Sequence, residues 1–481
     1  MIRVQTRLKL ILLLTLNTVL ILLSSCQPVS ETIYTPVEYS HSQEEYVVDK
    51  PYENLAVQPD YISEEDQARN NEWVRALMTF ERNVIGNHAL FNERGAWVNP
   101  LAYSGNGFSH VFHDPQLQAG FSSRVEALIE DIPKLQEYEI LYSISEILAL
   151  LGDSHTQVTI PAGATFPLHV VYIENAYHVW RVPSGYEHLL FSELVSINGV
   201  SIDYIFEQLK RIDPHENEYF LRIRLGIMFR EEFLSYIGVI DRAVYEESMG
   251  IPFGFDIDGD IVYINFTAAA EHTNLIEHSG TEGFFRDSRA GYNYWYEFLI
   301  EYNMLYIRYA AMHQMADLSF DEFHEDIMNA IQEIVSARGS LYKVVFDLRN
   351  NFGGGAPPLL EFATFLNKVR INDIYILIDN RTYSAAVTTA VILDELLENV
   401  TIIGEPAAQP PNFFSGGGQR FNEILPGQGA IYRVTREAIA LRPDYEGDAL
   451  RPDVYIPQTL EAFINNRDLI LDAVKAGGYQ G

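Results

Sequence analysis

Cysteine is almost absent from this sequence: Cys26 is the only one in 481 residues. One cysteine cannot form a disulfide within a chain, so the folded part must depend on its hydrophobic core rather than on cross-links. Basic residues are also few, because 33 lysines and arginines stand against 66 aspartates and glutamates, and the formal net charge is -33. This excess of acid argues against nucleic acid as a partner and against electrostatic binding to an anionic lipid surface.

Motifs of several common catalytic and cofactor sites are missing as well. The sequence has no G-x-S-x-G, which the α/β-hydrolases place around their nucleophile, and no H-E-x-x-H, which many zinc peptidases carry. His110 and His113 are spaced as metal ligands could be, but without that motif a metal site is not expected. The glycine-rich stretch Phe346–Gly355 fits neither a phosphate-binding loop nor a dinucleotide loop. We therefore predict neither a metal nor a cofactor.

The first 26 residues form a separate segment. Arg3, Arg7 and Lys9 precede an apolar run, LILLLTLNTVLILL, which is shorter than the roughly 20 residues needed to span a bilayer and is typical of a secretory signal. The run ends in L-S-S-C, which resembles the bacterial lipobox and implies that Cys26 is lipidated, anchoring the chain to a bacterial membrane outside the cytoplasm. A plain signal peptide with an incidental cysteine is the alternative. Residues 27–60 are polar and dotted with proline, which predicts a flexible tether.

The rest of the chain divides into three parts, as expected for a length that exceeds one core. Residues 61–160 are predicted to be mostly helical, with apolar residues at helical spacing up to a stop at Gly152. Residues 161–250 predict short strands, turns and a helix, and so a small β-rich module. Residues 251–481 alternate strands with helices, which predicts an α/β domain with a largely parallel sheet.

Ser384 stands between a predicted strand, Asp373–Asp379, and a predicted helix that begins S-A-A-V. Taken alone, a serine at that place is most simply an N-cap, because its side chain can accept a hydrogen bond from the first helical turn. The same place suits a nucleophile, since the unpaired N–H groups and the positive end of the helix dipole can stabilise an oxyanion. The pattern by itself leaves both interpretations open.

Four separated motifs occur in the order LLGDSHTQV, VVFDLRNNFGGG, NRTYSAAV and YEGDALRPDV. Together they resemble the S41 serine peptidases, the family that includes the C-terminal processing proteases and the tricorn core protease. The likeness extends over about residues 60–460 and includes the segment Gly404–Phe414 after the serine helix. It implies a multidomain α/β fold: a helical N-terminal domain, a PDZ-like module at 161–250 and a catalytic core of the ClpP/crotonase type at 251–481.

The resemblance also implies roles for particular residues. Ser384 would be the nucleophile. The backbone N–H of Ala385, together with that of Gly353 or Gly354, would form the oxyanion hole. No cofactor is implied, and the substrate would be a polypeptide.

The family activates its serine in two ways, and only one of them fits this sequence. One branch uses a downstream lysine, at a place that falls near Gln409, but no lysine follows Ser384 before the last helical segment. The tricorn-like branch uses a histidine that follows a serine, together with a distant glutamate, and Ser154, His155 and Glu446 match these elements. The resemblance therefore implies that His155 is the general base and that Glu446 acts on it through Ser154. Histidine can accept a proton near neutral pH, and a carboxylate can offset the resulting charge.

We therefore predict a lipid-anchored serine endopeptidase that hydrolyses peptide bonds in exported proteins or peptides through an acyl-enzyme at Ser384. Two other interpretations stay open at this stage. One is a catalytically inactive lipoprotein that binds a ligand or peptide on the same scaffold. The other is a solute-capture lipoprotein that serves a transporter.

Overall fold

The computed structural model describes residues 63–91, 97–98, 115–161, 163–226, 229–245, 249–272, 274–277, 291–369, 371–427 and 429–477. The predicted signal segment with Cys26, the tether at 27–60, and both His110 and His113 lie outside the described residues.

Helices form most of the N-terminal part and flank the sheets. None of those described combines the length and the apolar composition that crossing a lipid bilayer requires. They are α1 (Glu64–Asn87), α2 (Pro115–Asp131), α3 (Glu137–Ala149), α4 (Ile202–Ile212), α5 (Glu218–Leu225), α6 (Glu231–Tyr236), α7 (Phe320–Arg338), α8 (Leu360–Leu366), α9 (Ala385–Leu396), α10 (Leu460–Ile464) and α11 (Leu469–Lys475).

The described strands form three sheets. They are β1 (Trp97–Val98), β2 (Gln157–Thr159), β3 (His169–Ile173), β4 (Ala176–Pro183), β5 (Glu193–Ile197), β6 (Val200–Ser201), β7 (Ile251–Ile257), β8 (Asp260–Phe266), β9 (Leu275–Glu277), β10 (Tyr294–Leu299), β11 (Met304–Tyr309), β12 (Leu341–Asp347), β13 (Ile371–Ile378), β14 (Val400–Gly404), β15 (Asn412–Ile424), β16 (Ile431–Ala440) and β17 (Val454–Tyr455).

The largest core surrounds a six-stranded sheet with the strand order β10-β11-β12-β13-β14-β17. All neighbouring pairs are parallel except β10 with β11. Helices α7, α8 and α9 cover one face of the sheet, and α11 packs on the other. Because both faces are covered, β12 and β13 contain continuous apolar runs, Val344–Phe346 and Ile374–Ile378, rather than alternating patterns. The prediction of an α/β core with a largely parallel sheet is confirmed.

A second sheet, antiparallel throughout, has the order β3-β4-β5-β7-β8, with β6 paired to β5 and β9 paired to β4. Helices α4, α5 and α6 pack against it around a separate core. We call residues 169–277 the insert module. The predicted boundary at residue 250 falls inside this sheet, because β7, β8 and β9 complete it. The likeness of this module to a PDZ domain stays a prediction.

The N-terminal helices α1, α2 and α3 pack against a third sheet made of β1, β2, β15 and β16. Trp73, Phe80 and Phe121 share one core with Tyr432 and Val434, which lie far along the chain. The predicted helical domain therefore has no core of its own. Pairing of β2 with β16 also brings the turn between α3 and β2 to the side of the large sheet where β13 meets α9.

Candidate active site

Ser384 lies in the tight turn between β13 and α9, with a backbone φ of 54° and ψ of -121°. A positive φ is uncommon outside glycine and costs free energy, and such strain is concentrated where a functional side chain must be held in one direction. The Ser384 side chain makes no capping hydrogen bond to α9. Its Oγ lies instead 3.0 Å from Nε2 of His155. Of the two interpretations that the sequence left open, this geometry favours the nucleophile.

His155 lies almost completely buried in the turn between α3 and β2. Its ring stacks between Tyr383, with ring centroids 5.0 Å apart, and Phe413, at 5.8 Å. The two aromatic faces fix the plane of the imidazole, so that Nε2 is directed at Ser384. A base and a hydroxyl that are 229 positions apart in the sequence are thereby held at hydrogen-bond distance.

Tyr383 connects the other ring nitrogen of His155 to Ser154. Its hydroxyl lies 2.6 Å from Ser154 Oγ and 3.2 Å from His155 Nδ1. If Nε2 is to accept the proton of Ser384, Nδ1 must carry the imidazole hydrogen, and the Tyr383 oxygen is placed to accept a hydrogen bond from it. Ser154, His155 and Ser384 therefore belong to one largely buried network.

Asp153 fixes the backbone of the turn that carries the base. Its Oδ1 accepts the N–H of His155 at 2.8 Å, and its Oδ2 accepts the Thr435 hydroxyl at 2.5 Å and lies 3.0 Å from His88 Nε2. Burial by itself would raise the pKa of Asp153, but the hydrogen bond and charge of His88 and the charge of His155 lower that pKa below its ordinary value. Asp153 is thus a stable negative charge whose Oδ1 lies 4.0 Å from His155 Nδ1.

Gln409 is fully buried and connects the nucleophile to the base. Its Oε1 accepts the backbone N–H of Ser384 at 2.7 Å. Its Nε2 lies 3.4 Å from both Ser154 Oγ and His155 Nδ1. Gln409 thus supports the strained serine backbone with a neutral amide.

Glu216 reaches this network from the insert module, where it lies between α4 and α5. Gln409 Nε2 donates a hydrogen bond of 2.7 Å to its Oε1. Burial, and then the charge of Asp153, raise the pKa of Glu216 to about 8. The group therefore carries a proton at pH 7. Nothing in the sequence separated Glu216 from the many other acids of the chain.

Glu446, the predicted partner of Ser154, lies exposed in the loop after β16. In the described part of the chain no hydrogen bond or ion pair joins Glu446 to Ser154, His155 or Ser384. The structure thus brings the serines and the histidine together and leaves Glu446 apart from them. Its predicted role stays a prediction that no contact supports.

The glycine loop after β12 lies directly beside the nucleophile. Gly353 has a φ of 88°, and a Cβ at this residue would lie 2.7 Å from Ser384 Cβ, so only glycine fits. The N–H of Gly353 donates to Asn351 Oδ1. Among the described hydrogen bonds, none uses the N–H of Gly354 or of Ala385. Of the two glycines that the resemblance left open, Gly354 is therefore the one with a donor available for an oxyanion.

Arg349 anchors the start of this loop. It donates to both carboxylate oxygens of Asp347 and to both of Asp468, the N-cap residue of α11. Burial by itself would raise the pKa of Asp347, but the charges of Arg349 and Arg308 hold it well below its ordinary value. This fully charged cluster fixes the path of the chain from β12 into the glycines.

An open cleft of about 360 Å³ leads to Ser384. The small residues Ala310, Ala311 and Gly354 leave room for an extended main chain, while Phe352 offers an apolar surface that is half exposed. The shape therefore suits a segment of polypeptide. The lining consists of Ser154, His155, Gln157, Ala310, Ala311, His313, Asn350, Phe352, Gly353, Gly354, Tyr383 and Ser384.

Asp153, His155 and Glu216 could in principle hold a metal, because one ligand atom from each lies within 4.8 Å of the others. The orientation of the Gln409 amide argues against it. Since Oε1 accepts the Ser384 N–H, the NH₂ group is directed at His155 and Glu216, and a donor there repels a cation. The arrangement suits proton transfer better than metal binding.

Comparison with known proteins bears on the fold. No protein-family model and no curated protein matches the sequence. The structure of mature CPAF complexed with lactacystin matches with 13% identity and a TM-score of 0.55, covering 84% of this chain and 98% of its own. A second structure of mature CPAF matches with 12% identity and a TM-score of 0.52, covering 85% and 97%.

A protein from Bacteroides fragilis NCTC 9343, provisionally named an S41 protease, matches with 14% identity, covering 67% of this chain and 84% of its own. Its TM-score of 0.28 is too low to carry an argument. The comparison with CPAF rests on the fold, since so few residues are identical. This chain has a fold like that of mature CPAF.

Proposed function

We propose that the protein is a serine endopeptidase in which Ser384 forms an acyl-enzyme and His155 is the general base. The observation that carries this proposal is the 3.0 Å distance between His155 Nε2 and Ser384 Oγ, at a serine with a φ of 54° that does not cap its helix. A protein that only binds a ligand has no need of a strained serine held against a histidine. The CPAF-like fold supports the same conclusion.

Acylation involves the nucleophile Ser384, the base His155 and the backbone N–H groups of Gly354 and Ala385. Ser384 Oγ attacks the carbonyl carbon of a peptide bond while His155 Nε2 takes the hydroxyl proton, and the carbonyl π electrons move to the oxygen. The N–H groups of Gly354 and Ala385 bind that oxyanion. The tetrahedral intermediate then breaks the C–N bond, and the proton on Nε2 passes to the leaving amine.

Deacylation repeats the cycle with water as the nucleophile. His155 Nε2 takes a proton from water as the oxygen attacks the ester carbonyl, and it returns that proton to Ser384 Oγ when the C–O bond breaks. The positive charge that His155 carries during both steps is offset by Asp153, whose Oδ1 lies 4.0 Å from Nδ1, and by the faces of Tyr383 and Phe413.

We also propose that the peptidase acts outside the cytoplasm on exported polypeptides and is held at a bacterial membrane by a lipid on Cys26. The L-S-S-C sequence after the apolar run and the polar segment 27–60 support this. An alkyne-tagged fatty acid fed to producing cells should enter the full chain and should not enter the Cys26→Ser variant. Equal incorporation into both would contradict the anchor.

The catalytic proposal is tested by labelling the full chain with a fluorophosphonate probe and mapping the modified residue by mass spectrometry. We expect the probe on Ser384, and we expect labelling to be lost in Ser384→Ala and reduced at least about 100-fold in His155→Ala. Circular dichroism should show that both variants are folded. Absence of labelling in a folded wild-type protein, or labelling of Ser384 that does not depend on His155, would count against the proposed mechanism.

A further inference from the structure

One residue of the active-site network belongs to the insert module. Glu216 accepts a hydrogen bond of 2.7 Å from Gln409, and its carboxyl group lies within 4.8 Å of ligand atoms of Asp153 and His155. Its other oxygen, Oε2, is buried, and hydrogen bonding from the side chain and backbone of Ser154 only partly counteracts the effect of burial on its pKa. A carboxyl group that burial forces to keep its proton is costly to place in a protein interior, and an apolar side chain would avoid the cost. The presence of a carboxyl group here therefore suggests a role other than packing.

The position of Glu216 is fixed by contacts on both sides of it. Asn217 caps α5 through Oδ1 and, through Nδ2, donates to the backbone carbonyls of Ala407 at 3.2 Å and Asp448 at 2.9 Å in the catalytic core. Phe220 then stacks on Tyr383 with ring centroids 5.1 Å apart. The insert module is thus docked onto the catalytic core at the place where Glu216 enters the site.

Gln409 transmits the position of Glu216 to the nucleophile. Because Oε1 of Gln409 accepts the Ser384 N–H, its NH₂ group must point at Glu216, with Ser154 and His155 further off. The hydrogen bond to Glu216 is the shortest of the three contacts that this NH₂ group makes, so it determines how the Gln409 amide is rotated about its last side-chain bond. That rotation in turn sets the acceptor for the strained Ser384 backbone.

We propose that Glu216 is a positioning residue for the Ser384–His155 pair, supplied to the catalytic core by the insert module. The inference rests on the proposed function and deepens it. Glu216 holds the Gln409 amide against the Ser384 backbone, and when ionised it adds a second negative charge beside the imidazolium that forms in catalysis. The active site is therefore complete only while the insert module is docked.

The charge of Glu216 depends on the groups that surround it. At pH 7 it is protonated, because burial and the charge of Asp153 raise its pKa to about 8. Above that pH it ionises, and a carboxylate so close to His155 favours the protonated imidazole. The titratable and charged groups around it are Asp153 and His155 from the turn between α3 and β2, Tyr383 from the catalytic core, His88 behind Asp153, and His215, Asp213 and Arg224 from the insert module.

The test compares Glu216→Gln with wild type by the rate at which a fluorophosphonate labels Ser384 in the full chain between pH 6 and 10. Because a general base acts only when it is unprotonated, we expect the wild-type rate to rise with pH and to rise a second time near pH 8, where Glu216 ionises. The glutamine variant should lack the second rise and should label about 10-fold more slowly than wild type at pH 9. Its thermal midpoint should be equal to or above that of wild type, which separates this effect from a loss of structure.

Glu218→Gln is the matched control, because Glu218 is exposed, lies two residues away and pairs with Lys210 on the surface. It should follow the wild-type profile. Glu446→Gln tests the competing glutamate, because loss of the second rise in that variant would assign the effect to Glu446. Superimposable profiles for wild type and Glu216→Gln, or loss of the second rise in Glu446→Gln alone, would overturn the inference.

A second measurement decides the inference even if the protein proves to have no peptidase activity. The ¹⁵N signals of His155, assigned by their loss in His155→Ala, are followed by NMR across the same pH range. In wild type they should show a second inflection near pH 8 from the ionisation of Glu216, and Glu216→Gln should remove it. Identical titrations of His155 in both proteins would overturn the inference, whereas absence of labelling in wild type would overturn only the proposed function.

Discussion

At the scale of single residues, the site depends on two backbone conformations that lie against each other. Ser384 has a φ of 54°, and Gly353, with a φ of 88°, packs so closely that a Cβ would lie 2.7 Å from Ser384 Cβ and 2.9 Å from the nitrogen of Ala385. The glycine therefore fixes the serine backbone and one proposed oxyanion donor together. Its lack of a side chain matters more here than its flexibility.

Gly353→Ala should abolish most labelling of Ser384, by about 100-fold or more, because the new methyl group must displace either the nucleophile or the Ala385 N–H. Left-handed strain and the clash should also lower the free energy of unfolding by about 1–3 kcal/mol. Labelling rates and urea denaturation measure the two effects. Gly259→Ala is the matched control, since Gly259 has a φ of 93° and open space around it, so it reports the strain without the clash. Normal labelling in Gly353→Ala would show that this contact is not needed.

The sequence predicted some of these residues and not others, for a physical reason. Ser384, His155 and Ser154 lie in short motifs, and the structure brings them together in one hydrogen-bond network. Gln409 and Glu216 act only through contacts between residues that are distant in the sequence. The sequence alone does not show which glutamine or glutamate will be buried in the site. The glutamate predicted from the motif before R-P-D lies exposed instead.

At the scale of helices and strands, the sequence predicts the ends of a helix better than it predicts which strands pair in a sheet. Helix α7 starts directly after its N-cap residue, Ser319, which forms a capping box with Glu322. It ends before Gly339, whose φ is 82°. Signals of this kind lie within one segment, and they can be read from the sequence. Strands β7 to β9 lie beyond the predicted boundary at residue 250 and yet pair within the sheet of the insert module, because a strand pattern shows which face is apolar but not which sheet supplies the partner.

Asn217 joins an element of the insert module to the catalytic core, and its loss should affect both stability and catalysis. Asn217→Ala removes the cap of α5 and leaves the carbonyls of Ala407 and Asp448 without their donor. We expect a loss of about 2–3 kcal/mol in the free energy of unfolding and about 10-fold slower labelling of Ser384, because Glu216 directly precedes Asn217 in the chain.

The control for this prediction is Ser201→Ala, which removes the cap of α4 in the same module without touching the catalytic core. It should cost about 1 kcal/mol and leave labelling unchanged. Denaturation and labelling are measured on all three proteins. If both variants labelled Ser384 at the wild-type rate, docking at Asn217 would not contribute to the active site.

At the scale of the whole molecule, buried titratable groups determine how stability depends on pH. Burial, with the charge of Asp379, raises the pKa of Glu405 to about 7, and Glu216 is raised to about 8. The folded protein therefore keeps two protons that the unfolded chain releases near pH 4.5, so stability falls as the pH rises from there to 7 and 8. Burial lowers the pKa of both His169 and His324 to about 4, so these residues make stability rise with pH up to about 6.5.

These opposed contributions cancel between about pH 4.5 and 6.5, so they predict a decline in stability between pH 6.5 and 8, where the two histidines no longer oppose the two glutamates. The decline should be on the order of 2 kcal/mol, since each unit of pH over which one proton is retained corresponds to about 1.4 kcal/mol. Glu216→Gln combined with Glu405→Gln should remove most of it in thermal denaturation. The net charge of -33 also favours unfolding at higher pH, because the acidic groups repel one another. Salt screens this repulsion between surface charges far more than it screens the interactions of buried groups. The difference between wild type and the double variant should therefore persist in about 0.5 M NaCl, where surface charges are strongly screened. If the stability of the double variant declined with pH as steeply as that of wild type, these two carboxyl groups would not be responsible.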